Sequence, residues 1–146
     1  MGDCPIEDFE SLILPDRNQF YAIFSENLPL AQKDKITPTD LIEYPIISSR
    51  QNLVNDKFRN WWGNLYDQVH TVANSNLAYT TSLLAGEGHS VQISYNNLYD
   101  KKLEGLTTRP LSPKVTDPNI VIWKKNRKLS NLGNLFLEKL RDSLSN

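Results

Sequence analysis

Two short runs rich in aromatic and branched side chains open the chain, Phe9-Glu10-Ser11-Leu12-Ile13-Leu14 and Gln19-Phe20-Tyr21-Ala22-Ile23-Phe24. Such side chains suit half-buried strands. Pro15-Asp16-Arg17-Asn18 between them has the composition of a turn, which predicts a hairpin. Asn27-Leu28-Pro29-Leu30-Ala31 reads as a loop. Thr37-Pro38-Thr39-Asp40 reads as a helix start: Thr37 can cap free backbone N–H groups, Pro38 suits the first helical position, and Asp40 stands where a capping-box acid belongs. Pro45 stops this helix, and Pro45-Ile46-Ile47 follows as a brief apolar strand.

The pattern then alternates. Val54, Phe58, Trp61 and Trp62 fall near helical spacing over 53–62, with Gly63 as a C-terminal stop. Val69 to Ala73 alternates like a strand. Ser75 precedes a helical pattern of Leu77, Ala78, Thr81 and Leu84 that ends at Gly86. Val91-Gln92-Ile93 and Leu106 to Leu111 read as extended. Ile120-Val121-Ile122-Trp123 has few polar interruptions, which predicts a strand buried on both faces. Ser130 caps a final helix with apolar positions at Leu132, Leu135, Phe136, Leu140 and Leu144. Helix and strand alternate from Pro38 onward, which predicts an α/β layer with a parallel sheet and right-handed crossovers.

Composition narrows the function classes. At 146 residues, with 39% hydrophobic and 23% charged side chains, the chain has the make-up of one ordinary globular domain. Its net charge of −1 excludes a uniformly basic nucleic-acid binder. That total hides a split: residues 1–100 sum to −7 and residues 101–146 to +6. A single cysteine, Cys4, excludes an internal disulfide framework and a thiolate zinc cage. The histidines, His70 and His89, lie far apart with no HExxH pattern, so neither a metal nor any other cofactor is expected. No apolar run approaches the roughly 20 residues of a membrane span, and the N-terminus does not read as a signal peptide, so the expected compartment is the cytoplasm.

Catalytic motifs are missing. There is no GxSxG, P-loop or paired-carboxylate pattern, and Gly86-Glu87-Gly88 follows a helix rather than a strand, so no enzyme is expected. Binding chemistry is better supported. In an open α/β sheet, ligands sit beyond the carboxyl ends of the strands. Ser48, Ser49, Arg50 and Gln51 follow one predicted strand; Asn74 and Ser75 follow another and stand at a helix N-terminus. Unpaired N–H groups there favour a carboxylate or phosphate, and Arg50 can add a bidentate contact. The plainer reading stays open: Asn74 and Ser75 only cap their helix, and Arg50 only pairs with surface acids. The run Lys124-Lys125-Asn126-Arg127-Lys128 fits a solvated turn better than a nucleic-acid patch.

Several segments, in order along the chain, resemble the effector-binding domain of LysR-type transcriptional regulators. Asn27 to Ala31 resembles the family's "(H/S)PLA" turn, with Leu28 in place of His or Ser, and Ile36-Thr37-Pro38-Thr39-Asp40-Leu41 its "IT..DL" helix start. Tyr44-Pro45-Ile46-Ile47-Ser48-Ser49-Arg50-Gln51 is similar to "PLI..RQ", and Ser75 to Gly88 to a helix ending in "GxG". Arg109-Pro110-Leu111, Ile122-Trp123-Lys124-Lys125 and Phe136 to Arg141 resemble the closing strands and helix.

The resemblance implies an α/β fold like the type II periplasmic binding proteins, with one complete subdomain and part of a second. Residues 31–106 would form the second, effector-binding subdomain, and residues 1–30 and 107–146 part of the first, flanking a cleft for a small effector. It also implies ligand contacts at Ser48, Ser49, Arg50, Gln51, Asn74 and Ser75. Nothing in the chain resembles the family's winged helix-turn-helix, so DNA would be reached only through a region outside this sequence. Exposed sheet edges in a partial subdomain imply a homodimer. A transport-type solute-binding module and a ligand-free interaction remnant of the same fold are the rival readings.

Overall fold

The computed structural model describes residues 6–49, 56–74, 83–86, 88–95 and 104–145. Its strands are β1 (Phe9–Ser25), β2 (Ile46–Ser48), β3 (Thr71–Asn74), β4 (Val91–Tyr95), β5 (Leu106–Pro110) and β6 (Thr116–Lys124). Its helices are α1 (Pro38–Leu41), α2 (Asp56–Trp62) and α3 (Asn131–Leu144), with a further helical turn at 83–86. Contacts divide the chain into two compact units, one of Asp3–Arg17 with Asp117–Asn146 and one of Asn18–Thr116.

In the Asn18–Thr116 unit the strand order is β3-β2-β4-β1-β5. β2 lies parallel to both β3 and β4, as the helix–strand alternation predicts, while β1 is antiparallel to β4 and β5. The sheet is therefore mixed. Ala22, Ile23 and Phe24 are buried on both faces of β1, as suits a central strand. Phe20, Phe24, Leu30, Ile36, Leu41, Ile46, Phe58, Trp61, Trp62, Val91 and Ile93 belong to one apolar cluster. Phe20 meets Phe58 edge to face at 4.8 Å. Trp61 lies in this core but places its indole N–H on the Pro113 carbonyl at 2.9 Å, so burial leaves no orphan donor.

The α1 start follows its sequence grammar in full. The Thr37 N–H donates to the Asp40 carboxylate at 2.9 Å, and the Asp40 N–H donates to Thr37 Oγ1 at 3.4 Å, closing a capping box. Gly63 ends α2 with φ +56°, a left-handed conformation that favours glycine.

Two expectations need correction. The predicted hairpin does not form: residues 9–25 are one continuous strand. Pro15-Asp16-Arg17-Asn18 stays extended because β6 pairs with β1. The Lys125 N–H donates to the Asp8 carbonyl at 3.0 Å, and the Asn119 amide donates to the Asp16 carbonyl at 3.3 Å. Pro15 is exposed there, so tertiary pairing overrides the local turn preference. β6 itself is half-buried from Asn119 to Trp123 rather than buried on both faces, because sequence apolarity alone does not supply a second covering layer.

In the unit containing α3, Ser130 Oγ accepts the Gly133 N–H at 3.1 Å, as its N-cap position predicts. The buried residue of α3 is Leu137, which is not among the expected apolar positions; of those, Leu132 is 76% exposed and Phe136 59%. The Lys124–Lys128 run is exposed and includes the turn between β6 and α3.

Candidate functional site

β2 and β3 are short, parallel and neighbours, so their carboxyl ends lie at the same edge of the sheet. Their register pairs Ser48 with Asn74, the last residues of the two strands. Ser48 is only 6% exposed, Ser49 is half-buried, and Asn74 is exposed. Two of the six expected ligand-contacting residues are thus placed side by side by strand pairing, and Ser49 follows directly. Arg50, Gln51 and Ser75 lie outside the described residues.

Ser48 also lines a cavity of about 250 Å³. Ile46 and Ser48 of β2 reach it together because alternate residues of a strand share a face. Ile93, Val69 and Thr71 complete the strand side. The opposite wall is Phe58 and Trp62 of α2 with Tyr66 and Asp67 of the following 3-10 turn. Helical spacing marks Phe58 and Trp62 in the sequence, whereas Tyr66 and Asp67 carry no such mark. Phe58 and Trp62, four residues apart on α2, share a helix face; Tyr66 joins them only through the 3-10 turn that begins at Gly63, which that spacing does not display.

Arg109 of β5 donates from Nε to the Lys33 carbonyl and from its terminal nitrogens to the Ala31 and Thr108 carbonyls, at 2.7–2.8 Å. This fork fastens the Pro29–Gln32 turn to the sheet. Lys33 in turn meets Asp40 at 2.8 Å. Among the described residues no group of His, Cys, Asp and Glu could hold a metal ion, and no described helix is long and apolar enough to cross a membrane.

The family model of the LysR substrate binding domain matches residues 1–145. The chain belongs to the LysR substrate-binding domain family. That family is regulatory and non-enzymatic. No curated protein sequence matches this chain. Among solved structures, this LysR domain is similar to HinK, a LysR family transcriptional regulator from Pseudomonas aeruginosa, with a TM-score of 0.76 and 16% identity over 94% of this chain and 50% of that one. The Synechocystis PCC6803 CcmR regulatory domain, in complex with 2-PG, gives 0.77 and 18% over 100% and 72%. The effector-binding domain of QuiR, in complex with shikimate, gives 0.74 and 17% over 97% and 68%. The LysR domain thus has the α/β fold of the type II periplasmic-binding-protein-like class, and spans about half the length of HinK. In this family setting, the "PLI..RQ" resemblance falls on β2 and the two serines at its end, and the "IT..DL" resemblance on the capped start of α1.

Proposed function

We propose that this LysR domain is the effector-sensing part of a cytoplasmic transcriptional regulator, and that it binds a small anionic metabolite at the carboxyl ends of β2 and β3. The observation that carries the reading is the pairing of Ser48 with Asn74 at the ends of two parallel strands, where ligands of open α/β sheets bind. Ser48, Ser49 and Asn74 supply small polar side chains there. Arg50, Gln51 and Ser75, adjacent in sequence, complete the set, with Arg50 as the bidentate partner of a carboxylate or phosphate. The ligand-contacting part then lies within residues 31–106. The complexes of CcmR with 2-PG and of QuiR with shikimate support a small-molecule effector.

The regulator works as a homodimer, and DNA is contacted through a helix-turn-helix region outside the matched domain. A thermal-shift screen of metabolite carboxylates and phosphates, including 2-PG and shikimate, tests the reading. At least one compound raises the melting temperature saturably, and Arg50→Gln weakens that compound about tenfold, a loss of about 1.4 kcal/mol. A folded protein that responds to no member of the screen, or an Arg50→Gln variant with unchanged affinity, contradicts it.

A further inference from the structure

The cavity beneath α2 has a chemistry opposite to that proposed for the strand ends. Phe58, Trp62 and Tyr66 give it three aromatic walls, and Asp67 is the one charged residue among the described residues of its lining. Among the described residues, no lysine or arginine lines it. Aromatic faces carry negative electrostatic potential and attract cations, tryptophan most strongly. A carboxylate beside three aromatic rings therefore favours a positively charged guest and opposes an anionic one. Tyr66 accepts a cation within the protein itself: the Arg59 guanidinium lies 4.9 Å from its ring centroid. Ile46, Val69 and Ile93 offer apolar surface to the remainder of a guest, and Ser48 and Thr71 offer hydroxyls.

We propose that this cavity is a second ligand site, built for a small organic ammonium ion. Its volume of about 250 Å³ lies below the roughly 300–1,000 Å³ of drug-sized sites, which restricts the guest to a compact molecule. Methyl or methylene groups next to the nitrogen spread the charge over an apolar surface, which aromatic walls hold better than a fully hydrated ammonium. The site goes beyond the anionic effector and shares with it only the wall provided by Ser48.

Choline is the probe, compared with its neutral tert-butyl analogue, which has nearly the same shape without the charge. Choline is expected to change the tryptophan fluorescence of the whole chain saturably at concentrations up to about 10 mM, the range of a weak site, with the analogue at least ~10-fold weaker. Asp67 is exposed, so Asp67→Asn keeps the fold, checked by circular dichroism. This variant is expected to lose about tenfold in choline affinity and nothing toward the analogue. Equal binding of choline and the analogue, choline binding unchanged in Asp67→Asn, or no saturable response overturns the proposal. The carboxylate and phosphate screen separates the two sites: failure of every member to bind counts against the strand-end reading and leaves the choline result standing.

Discussion

Two phenylalanines, Phe24 and Phe136, show how the two compact units differ. In the Asn18–Thr116 unit Phe24 is fully buried in a cluster that joins one face of β1, through Phe20, Ala22 and Phe24, to α2. In the unit of Asp3–Arg17 and Asp117–Asn146, Phe136 is 59% exposed on α3 and Ile13 is 64% exposed on β1. The same residue type therefore contributes differently in the two places. An apolar side chain stabilises a fold in proportion to the area it removes from water, not by its presence in the sequence. The candidate strand ends and the aromatic cavity both belong to the unit with the closed core, which gives their side chains rigid support.

The largest difference is expected between truncations of the two phenylalanines. Phe24→Ala is expected to cost about 3–5 kcal/mol in urea unfolding, through lost burial and the cavity left behind. Phe136→Ala, with most of its ring already in solvent, is expected to change stability by less than about 0.5 kcal/mol. Comparable losses for the two variants would refute the division into closed and open units.

Arg109 comes next. Replacing it with Leu leaves the Ala31 and Lys33 carbonyls without their charged donor, an expected loss of about 1.5–3 kcal/mol. Lys restores the charge but not the planar fork, so Arg109→Lys recovers only part of it. Full recovery in denaturant melts would show that charge alone fastens the turn. A smaller effect is expected at the helix caps. Thr37→Ala removes one side of the box with Asp40 and costs about 1 kcal/mol by the same measurement.

The smallest effect is pH-dependent. Burial alone pushes the Asp40 carboxyl up, but hydrogen bonds from Lys33 and from the Thr37 N–H and hydroxyl, with the Lys33 charge, bring it below its usual 3.8. The folded protein therefore binds this proton less readily than the unfolded chain. Its stabilising contribution is complete above the unfolded-state value and fades as pH falls through the lower native one. Unfolding curves between neutral pH and pH values below about 4 should lose part of their acid slope in Asp40→Asn. An unchanged slope would mean that the Lys33–Asp40 contact contributes nothing in solution.

Legibility in the sequence followed how local each interaction is. The α1 cap was readable because Thr37, Pro38 and Asp40 act within three residues, and the α3 cap at Ser130 for the same reason. The continuity of β1 was not, because Pro15 to Asn18 speaks locally for a turn and only pairing with the distant β6 keeps it extended. Ser48 and Asn74 were picked out separately as strand-end residues; their adjacency arises from the register between β2 and β3, which sequence does not display. The aromatic cavity was hidden differently. Phe58 and Trp62 satisfy a core pattern, and nothing in that pattern distinguishes a side chain that fills a core from one that walls a cavity.

The most direct test of the strand-end site is an amide NMR titration of the whole chain with the best compound of the carboxylate and phosphate screen. The largest shifts are expected on Ser48, Ser49 and Asn74, saturating together with one affinity. Shifts confined to residues away from the ends of β2 and β3, with these three unmoved at saturation, would contradict the strand-end site.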